Sequence, residues 1–547
     1  MPTPQKPLLS EVELSDRTGR EPAQARPVLR AVTSEPALPR QRGRAYEVDD
    51  EVLAESAADL LVQLSACDSR LRAAERAVRE HVRYCERGRL PVDQPVTTRL
   101  VDAVEHARAR VAQERALLFA HGTDDRPRLL SAAELVVRFA LSTLAYVRDA
   151  LEWSSPASTQ AHAVEFFDLT AQRAAVPAQA RHGGSSVREV ERQTAGLLGL
   201  PETHTVSATS SGQAAYTLVE AVLVRERLRP DDIVLVAPTL PTETAAQVGS
   251  LPFVRTLPIE GHHVDDVVSA VVRYRPRCVF LAPVAATARQ RMIDVGTVVR
   301  RLAAIGTPVT VVVDGTSVSG TLPGELFAQA SARGVEVVYY EDASAYLQQG
   351  LDTATAGVVA HPVALRGAFA RQRAATGTIL HRHAADLFPR YDTGIHHRRL
   401  RRIERAAGQV AATLAGNAAV TEIGEVCHPS LASHPDTHLA ATLGHAGGCV
   451  TFRFHDTVRN GYADLDDVCE HILANARGLG VQLTTGAGYG FSVPRLGVLT
   501  DSGADPVSDE EPAYLRLSAG DRGAGLDLLA DAVAAALSDP IARVLAG

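Results

Sequence analysis

The stretch Ala208-Thr-Ser-Ser-Gly-Gln-Ala-Ala215 puts small hydroxyl and glycine residues at the start of a predicted helix over Tyr216–Arg225. Free backbone N–H groups and the positive end of the helix dipole meet there, which suits a phosphate. No Gly-Lys-Ser/Thr follows, so this is not a Walker loop, and taken alone the segment reads more simply as a helix cap. Further on, the apolar run Val309–Val313 ends in Asp314-Gly-Thr316, a carboxylate at the C-terminal end of a predicted parallel strand, where ligand crevices form. A later strand, Val335–Tyr339, runs into Tyr340-Glu-Asp-Ala-Ser-Ala-Tyr-Leu-Gln-Gln-Gly-Leu-Asp352.

Phosphate cup, aspartate after one strand, hydroxyl-bearing turn after another: in this order the chain resembles the fold-type I pyridoxal-phosphate (PLP) enzymes. Within them it is most similar to the cysteine/methionine-metabolism branch of γ-synthases and γ-lyases, over roughly residues 175–545. The resemblance implies roles. Ser211, Gly212 and Gln213 match the family's Ser-Gly-Met cup for the cofactor phosphate. Asp314, with Thr316 beside it, matches the aspartate that pairs with the pyridine nitrogen and keeps the ring an electron sink. Ser344 matches the hydroxyl next to the Schiff-base position. Arg181, in Ala-Arg-His-Gly-Gly-Ser-Ser, resembles the arginine that reaches the phosphate of the neighbouring subunit. Arg516, in Tyr-Leu-Arg-Leu-Ser, resembles the arginine whose planar fork grips the substrate α-carboxylate. The plain alternatives are a helix cap for Asp314, a surface ion pair for Arg516 and an idle, solvated Arg181.

The departures from the family are as informative. Its lysine follows the hydroxyl residue and precedes an aromatic; that position is Ala345, between Ser344 and Tyr346. Alanine has no amine to hold the cofactor aldehyde or move the α-proton. The retained cup, Asp314, Ser344, Tyr346, Gly350 and Asp352 favour a Lys→Ala substitution that traps an intermediate over a natural loss. The family's ring-stacking Tyr-Gly-Gly-Thr loop has become Pro238-Thr-Leu-Pro-Thr-Glu-Thr244, leaving Thr239, Leu240 or His204 as candidates to cover the ring. Its Pro-x-Asn-Pro turn has become Pro283-Val-Ala-Ala-Thr287. Gly486-Ala-Gly-Tyr-Gly490 lacks the βαβ context of a dinucleotide loop and reads as an active-site loop near Arg516. His381, His383, His396 and His397, with Arg398, Arg399, Arg401 and Arg402, have no metal-ligand spacing and read as a basic patch, a place for a phosphate-bearing second substrate.

These residues need a frame. The 547 residues suggest two or three domains. A net charge of −8 argues against a nucleic-acid partner. No apolar run of membrane length and no signal peptide are evident, so a cytoplasmic protein without a membrane partner is expected. Six cysteines without a CxxC pair give no metal site. Proline-rich residues 1–45 read as a disordered arm. Residues 46–155 read as a helical extension with apolar stripes Leu53–Val78, Leu100–Leu118 and Leu135–Leu151, the last opened by a Ser131…Glu134 capping box. Val/Ile runs alternating with helices over 156–395 predict a large α/β domain with a mainly parallel sheet, to which the resemblance assigns PLP binding, and 396–547 read as a smaller α+β domain. The expected fold class is therefore α/β, and the resemblance makes it fold-type I PLP-dependent transferase-like. The resemblance implies a homodimer or tetramer and β- or γ-elimination or replacement on an amino acid such as S-adenosylmethionine. The helical extension hints at a larger second substrate. An aminotransferase of the same fold and a natural lysine-less binding protein are the alternatives.

Overall fold

The computed structural model describes residues 50–88, 94–120, 126–151, 184–500 and 512–538, apart from 323, 332, 457–459 and 523–524. The expected arm over 1–45 and Arg181 lie outside these residues. Three long helices come first: α1 (Asp50–Gly88), α2 (Gln94–Ala120) and α3 (Arg126–Leu151). In α1, Leu64, Cys67, Leu71, Ala74 and Val78 recur at three- and four-residue steps, and all are buried against Leu100, Val104, Ala107 and Val111 of α2.

The buried face of α3 differs from the predicted stripe. Leu144 and Val147 of that stripe are buried, but Leu135 is 66% and Phe139 40% exposed, and Ala133, Val137, Ala140 and Leu141 enter the core instead. This helix is apolar enough for two phases of the same period, and packing selected one. Because α3 starts at Arg126, Ser131 lies inside it and caps nothing; its hydroxyl accepts from Arg522, which also pairs with Glu134. The same apolarity gives an 18-residue window within Arg128–Ala150 a mean hydropathy of 1.5, long and apolar enough to cross a membrane contrary to expectation; 61% of that window is buried inside the protein.

The α/β body opens with α4 (Ser185–Leu197), β1 (His204–Thr209) and α5 (Gly212–Glu226). Six further strands complete its sheet: β2 (Ile233–Val236), β3 (Arg255–Pro258), β4 (Cys278–Leu281), β5 (Val309–Asp314), β6 (Val335–Asp342) and β7 (Gly357–Pro362). Their order is β1-β7-β6-β5-β4-β2-β3. β7 runs antiparallel to both of its neighbours, β1 and β6, and every other pair is parallel. Every residue of β5 is buried, as expected of a parallel strand with helices on both faces. A second sheet, β10-β11-β12-β9-β8, uses β8 (Gly424–Cys427), β9 (Cys449–Phe454), β10 (Thr484–Thr485), β11 (Arg495–Thr500) and β12 (Ala513–Ser518). The helices Thr393–Ala415, Tyr462–Gly478 and Leu526–Ser538 cover it.

Polar contacts tie the first three helices to the body. Arg148 of α3 pairs with Asp386 at 2.6 Å, both buried. Gln63 of α1 donates to Gln349 at 2.6 Å, and Arg402 meets Asp59 at 2.9 Å. Leu351 joins the three-helix core itself. The extension is thus packed onto the turn that follows Ala345.

Candidate active site

Asp314 is the last residue of β5, so its side chain leaves the sheet at the C-terminal end. It is 6% exposed, and its Oδ1 accepts from the backbone N–H of Thr316 at 3.0 Å. Burial pushes its carboxyl above the usual range, with the Thr316 hydrogen bonds opposing the shift. The Thr316 hydroxyl in turn accepts from the N–H of Asp342 at 3.1 Å, and Asp342 Oδ1 accepts from the N–H of Ser344 at 2.7 Å. Two strand ends are thereby stitched into one wall.

Asp314 and Thr316 line a cleft of ≈ 320 Å³ with Glu243, Val284, Tyr489 and Arg516. Arg516 reaches it from β12, paired in register with Thr451 and Gly497. Its guanidinium carbon lies 5.1 Å from the Tyr489 ring centroid, and Nη2 donates to the Ala487 carbonyl. Its buried Nε has no protein partner among the described residues. A planar donor held on one side and open on the other is what a carboxylate ligand needs.

At the start of α5, the Ser211 hydroxyl accepts from Ala214 N–H at 3.0 Å. The first N–H groups of the helix, those of Gly212 and Gln213, stay at its open end. A Cβ on Gly212 would lie 2.8 Å from Asp342 Cβ and 2.9 Å from its Oδ2. Glycine is required for this approach, and it brings a carboxylate to the positive end of the helix. The Gln213 side chain turns away to Gln247 at 2.7 Å, and the Ser344 hydroxyl accepts from Ala356 N–H at 3.3 Å. Ala345 is buried at 8% exposure. Beside it, Tyr346 packs on Leu400 and Ile403, with its ring 6.0 Å from that of Tyr489. The whole sequence contains a single lysine, Lys6.

Tyr489 lines the cleft beside Arg516 and is a candidate site residue that sequence reasoning did not single out. Its signal was the Gly486–Gly490 loop, in which one aromatic stands among glycines, and that loop lines the cleft through Ala487, Gly488 and Tyr489. The three candidates to cover a ring do not line the cleft. Thr239 is fully buried and accepts from Ala282 N–H at 3.3 Å, while Leu240 belongs to the hydrophobic core. His204 starts β1, at the strand end away from the cup, against Phe327.

Part of the expected basic patch is paired within the chain. Arg398 pairs with Asp59 at 2.5 Å, Arg399 with Asp521 at 2.7 Å, and Arg402 with Asp59, while His396 is buried on the Ser319 carbonyl at 2.9 Å. Carboxylates from α1 and from Asp521 thus offset the charge of Arg398, Arg399 and Arg402, three of the four arginines of the expected patch. Such neutralisation comes from residues distant in the sequence.

Comparison with known proteins agrees with this architecture. The sequence model of the family "Cys/Met metabolism PLP-dependent enzyme" matches residues 158–481. The bifunctional enzyme flvA of Aspergillus flavus is 30% identical over 387 residues, covering 70% of this chain and 45% of that protein, so the chain spans less than half the length of this relative. Among solved structures, a cystathionine gamma synthase from Xanthomonas oryzae pv. oryzae matches with a TM-score of 0.53 at 18% identity, over 72% of this chain and 97% of that one. CalE6, a methionine gamma lyase from Micromonospora echinospora, matches with a TM-score of 0.51 at 19% identity, over 67% of this chain and 90% of that one. At these identities the likeness is one of fold.

Proposed function

The chain belongs to the Cys/Met metabolism PLP-dependent enzyme family, and from that premise we propose that its cleft binds a free α-amino acid without a covalently held cofactor. Membership implies pyridoxal 5′-phosphate as the cofactor, an electron sink for elimination or replacement on amino acids. The residues present fit one half of that group. Asp314 suits a ring nitrogen, and Arg516 with Tyr489 suits the carboxylate and body of an amino acid. The other half does not fit: Ala345 offers no amine, and Asp342 holds a carboxylate at the helix start.

What the residues themselves do follows from their charges. The Arg516 fork receives the α-carboxylate through charge-assisted hydrogen bonds. Asp314 is protonated more readily than an exposed aspartate because it is buried. An ammonium placed beside it favours its charged form again, so a zwitterion meets both ends of the cleft. Val284, Ala286 and Leu499 form an apolar wall suited to an aliphatic or thioether side chain, and Tyr489 shields the Arg516 contact from water.

One observation carries this reading: Arg516 and Asp314 share a cleft in a chain whose only lysine is Lys6. Calorimetric titration with apolar L-amino acids is expected to show binding that Arg516→Ala weakens about a hundredfold. Equal affinity in wild type and variant would sink it.

A second reading has support in Asp314, Thr316 and Ser344, the positions that the resemblance assigns to the cofactor. There Ala345 stands in for a catalytic lysine, and the protein is a lyase or transferase acting on an activated amino acid such as S-adenosylmethionine. Ala345→Lys, supplied with pyridoxal 5′-phosphate, then gains a visible absorbance band and releases a keto acid. A colourless Ala345→Lys protein rejects this second reading.

A further inference from the structure

We propose that Asp342 is a resident anion that closes the helix start to phosphate, so that the cleft takes ligands without a phosphoryl group. The inference rests on the cleft being the ligand site, as argued above. Three observations converge on Asp342. Its Oδ2 stands 2.9 Å from where a Cβ of Gly212 would be, against the first residue of α5. Its Oδ1 is fixed by the Ser344 N–H at 2.7 Å, and its own N–H by the Thr316 hydroxyl at 3.1 Å, so the carboxylate is pinned by its neighbours rather than swinging in solvent. Both of these partners are neutral, which leaves the carboxylate's charge to be met by the positive end of the helix.

A helix start offers one anion niche, and here the chain's own carboxylate stands against it. A phosphate dianion brought to the same place meets a like charge at contact distance and must displace a group held by a backbone hydrogen bond. The second carboxylate, Asp314, stands on the same wall through Thr316 and deepens the negative potential. The apolar wall and Arg516 are untouched by this change, so an unphosphorylated amino acid keeps its contacts.

The test compares pyridoxamine 5′-phosphate with pyridoxamine by equilibrium dialysis against wild type, Asp342→Ser and the near-isosteric Asp342→Asn. These probes carry no aldehyde, so Lys6 and the α-amino group do not capture them. Removing the carboxylate is expected to tighten pyridoxamine 5′-phosphate binding about a hundredfold and to change pyridoxamine binding by less than about threefold. Thermal unfolding of each variant checks that it is folded, and two variants guard against the loss of one. The inference is overturned if neither variant gains affinity for the phosphorylated probe, or if both probes gain alike. Amino-acid titration of the wild type is read separately. Its failure removes the ligand reading and leaves the phosphate result standing, while tight wild-type binding of the phosphorylated probe removes the inference alone.

Discussion

Arg516 is already organised for the carboxylate proposed to bind it. The Tyr489 ring and the Ala487 carbonyl fix the guanidinium plane, and the buried Nε awaits a partner. Lysine would keep the charge and lose the fork. Arg516→Lys is therefore expected to weaken amino-acid binding about tenfold, less than Arg516→Ala, because a point charge replaces a bidentate donor. Calorimetry on the two variants in parallel checks the ranking; equal losses would mean that charge is immaterial to the contact.

The elements decide where that side chain points. The loop carrying Tyr489 is held by Arg399, whose Nη2 donates to the Gly490 carbonyl at 2.7 Å while its Nε pairs with Asp521. Gly490 has φ +79°, and a Cβ there would lie 2.9 Å from the Tyr346 ring. Gly490→Ala is expected to displace Tyr489 and weaken amino-acid binding about tenfold while melting within a few degrees of wild type. An unchanged affinity would show that Tyr489 does not shape the cleft. The three-helix extension acts at the same scale. Arg148→Met leaves Asp386 buried without its cation and is expected to cost about 3 kcal/mol in denaturant unfolding. Adding Asp386→Leu removes the stranded charge and should recover most of that loss. A double variant no better than the single would assign the cost to packing.

Over the whole molecule, buried titratable groups set an optimum pH for stability. Burial depresses His361, His396, His428 and His445 to about 4. It raises Glu404 to about 7 and Glu341 to about 8. Between about pH 4.5 and 6.5 unfolding takes up protons at the four histidines and releases them at the two glutamates, so stability rises with pH. Above about 6.5 the histidines are neutral in both states, and the glutamates, still protonated only when folded, make stability fall toward pH 8. Melting temperature is therefore expected to peak near pH 6.5, and a curve rising steadily to pH 8 would contradict this balance.

Much of this was open to reading in the order of residues alone. Runs such as Val309–Val313 are too apolar for a one-sided strand, so a covered parallel sheet followed, and Asp314 at its end followed with it. The absence of lysine at 345 is a fact of sequence that no packing can repair. Other features depend on residues far apart in the chain. The phase of α3, the ion pairs of Arg398, Arg399 and Arg402, and the meeting of Tyr489 with Arg516 needed the folded chain. Above all, the sequence shows Asp342 only as one acid in an acidic turn. It becomes a closure for the helix start because Gly212, 130 positions earlier, has no side chain to keep it away. Local order fixes periodicity and chemical type, whereas charge neutralisation and close approach are pairwise, long-range properties that only the tertiary structure decides.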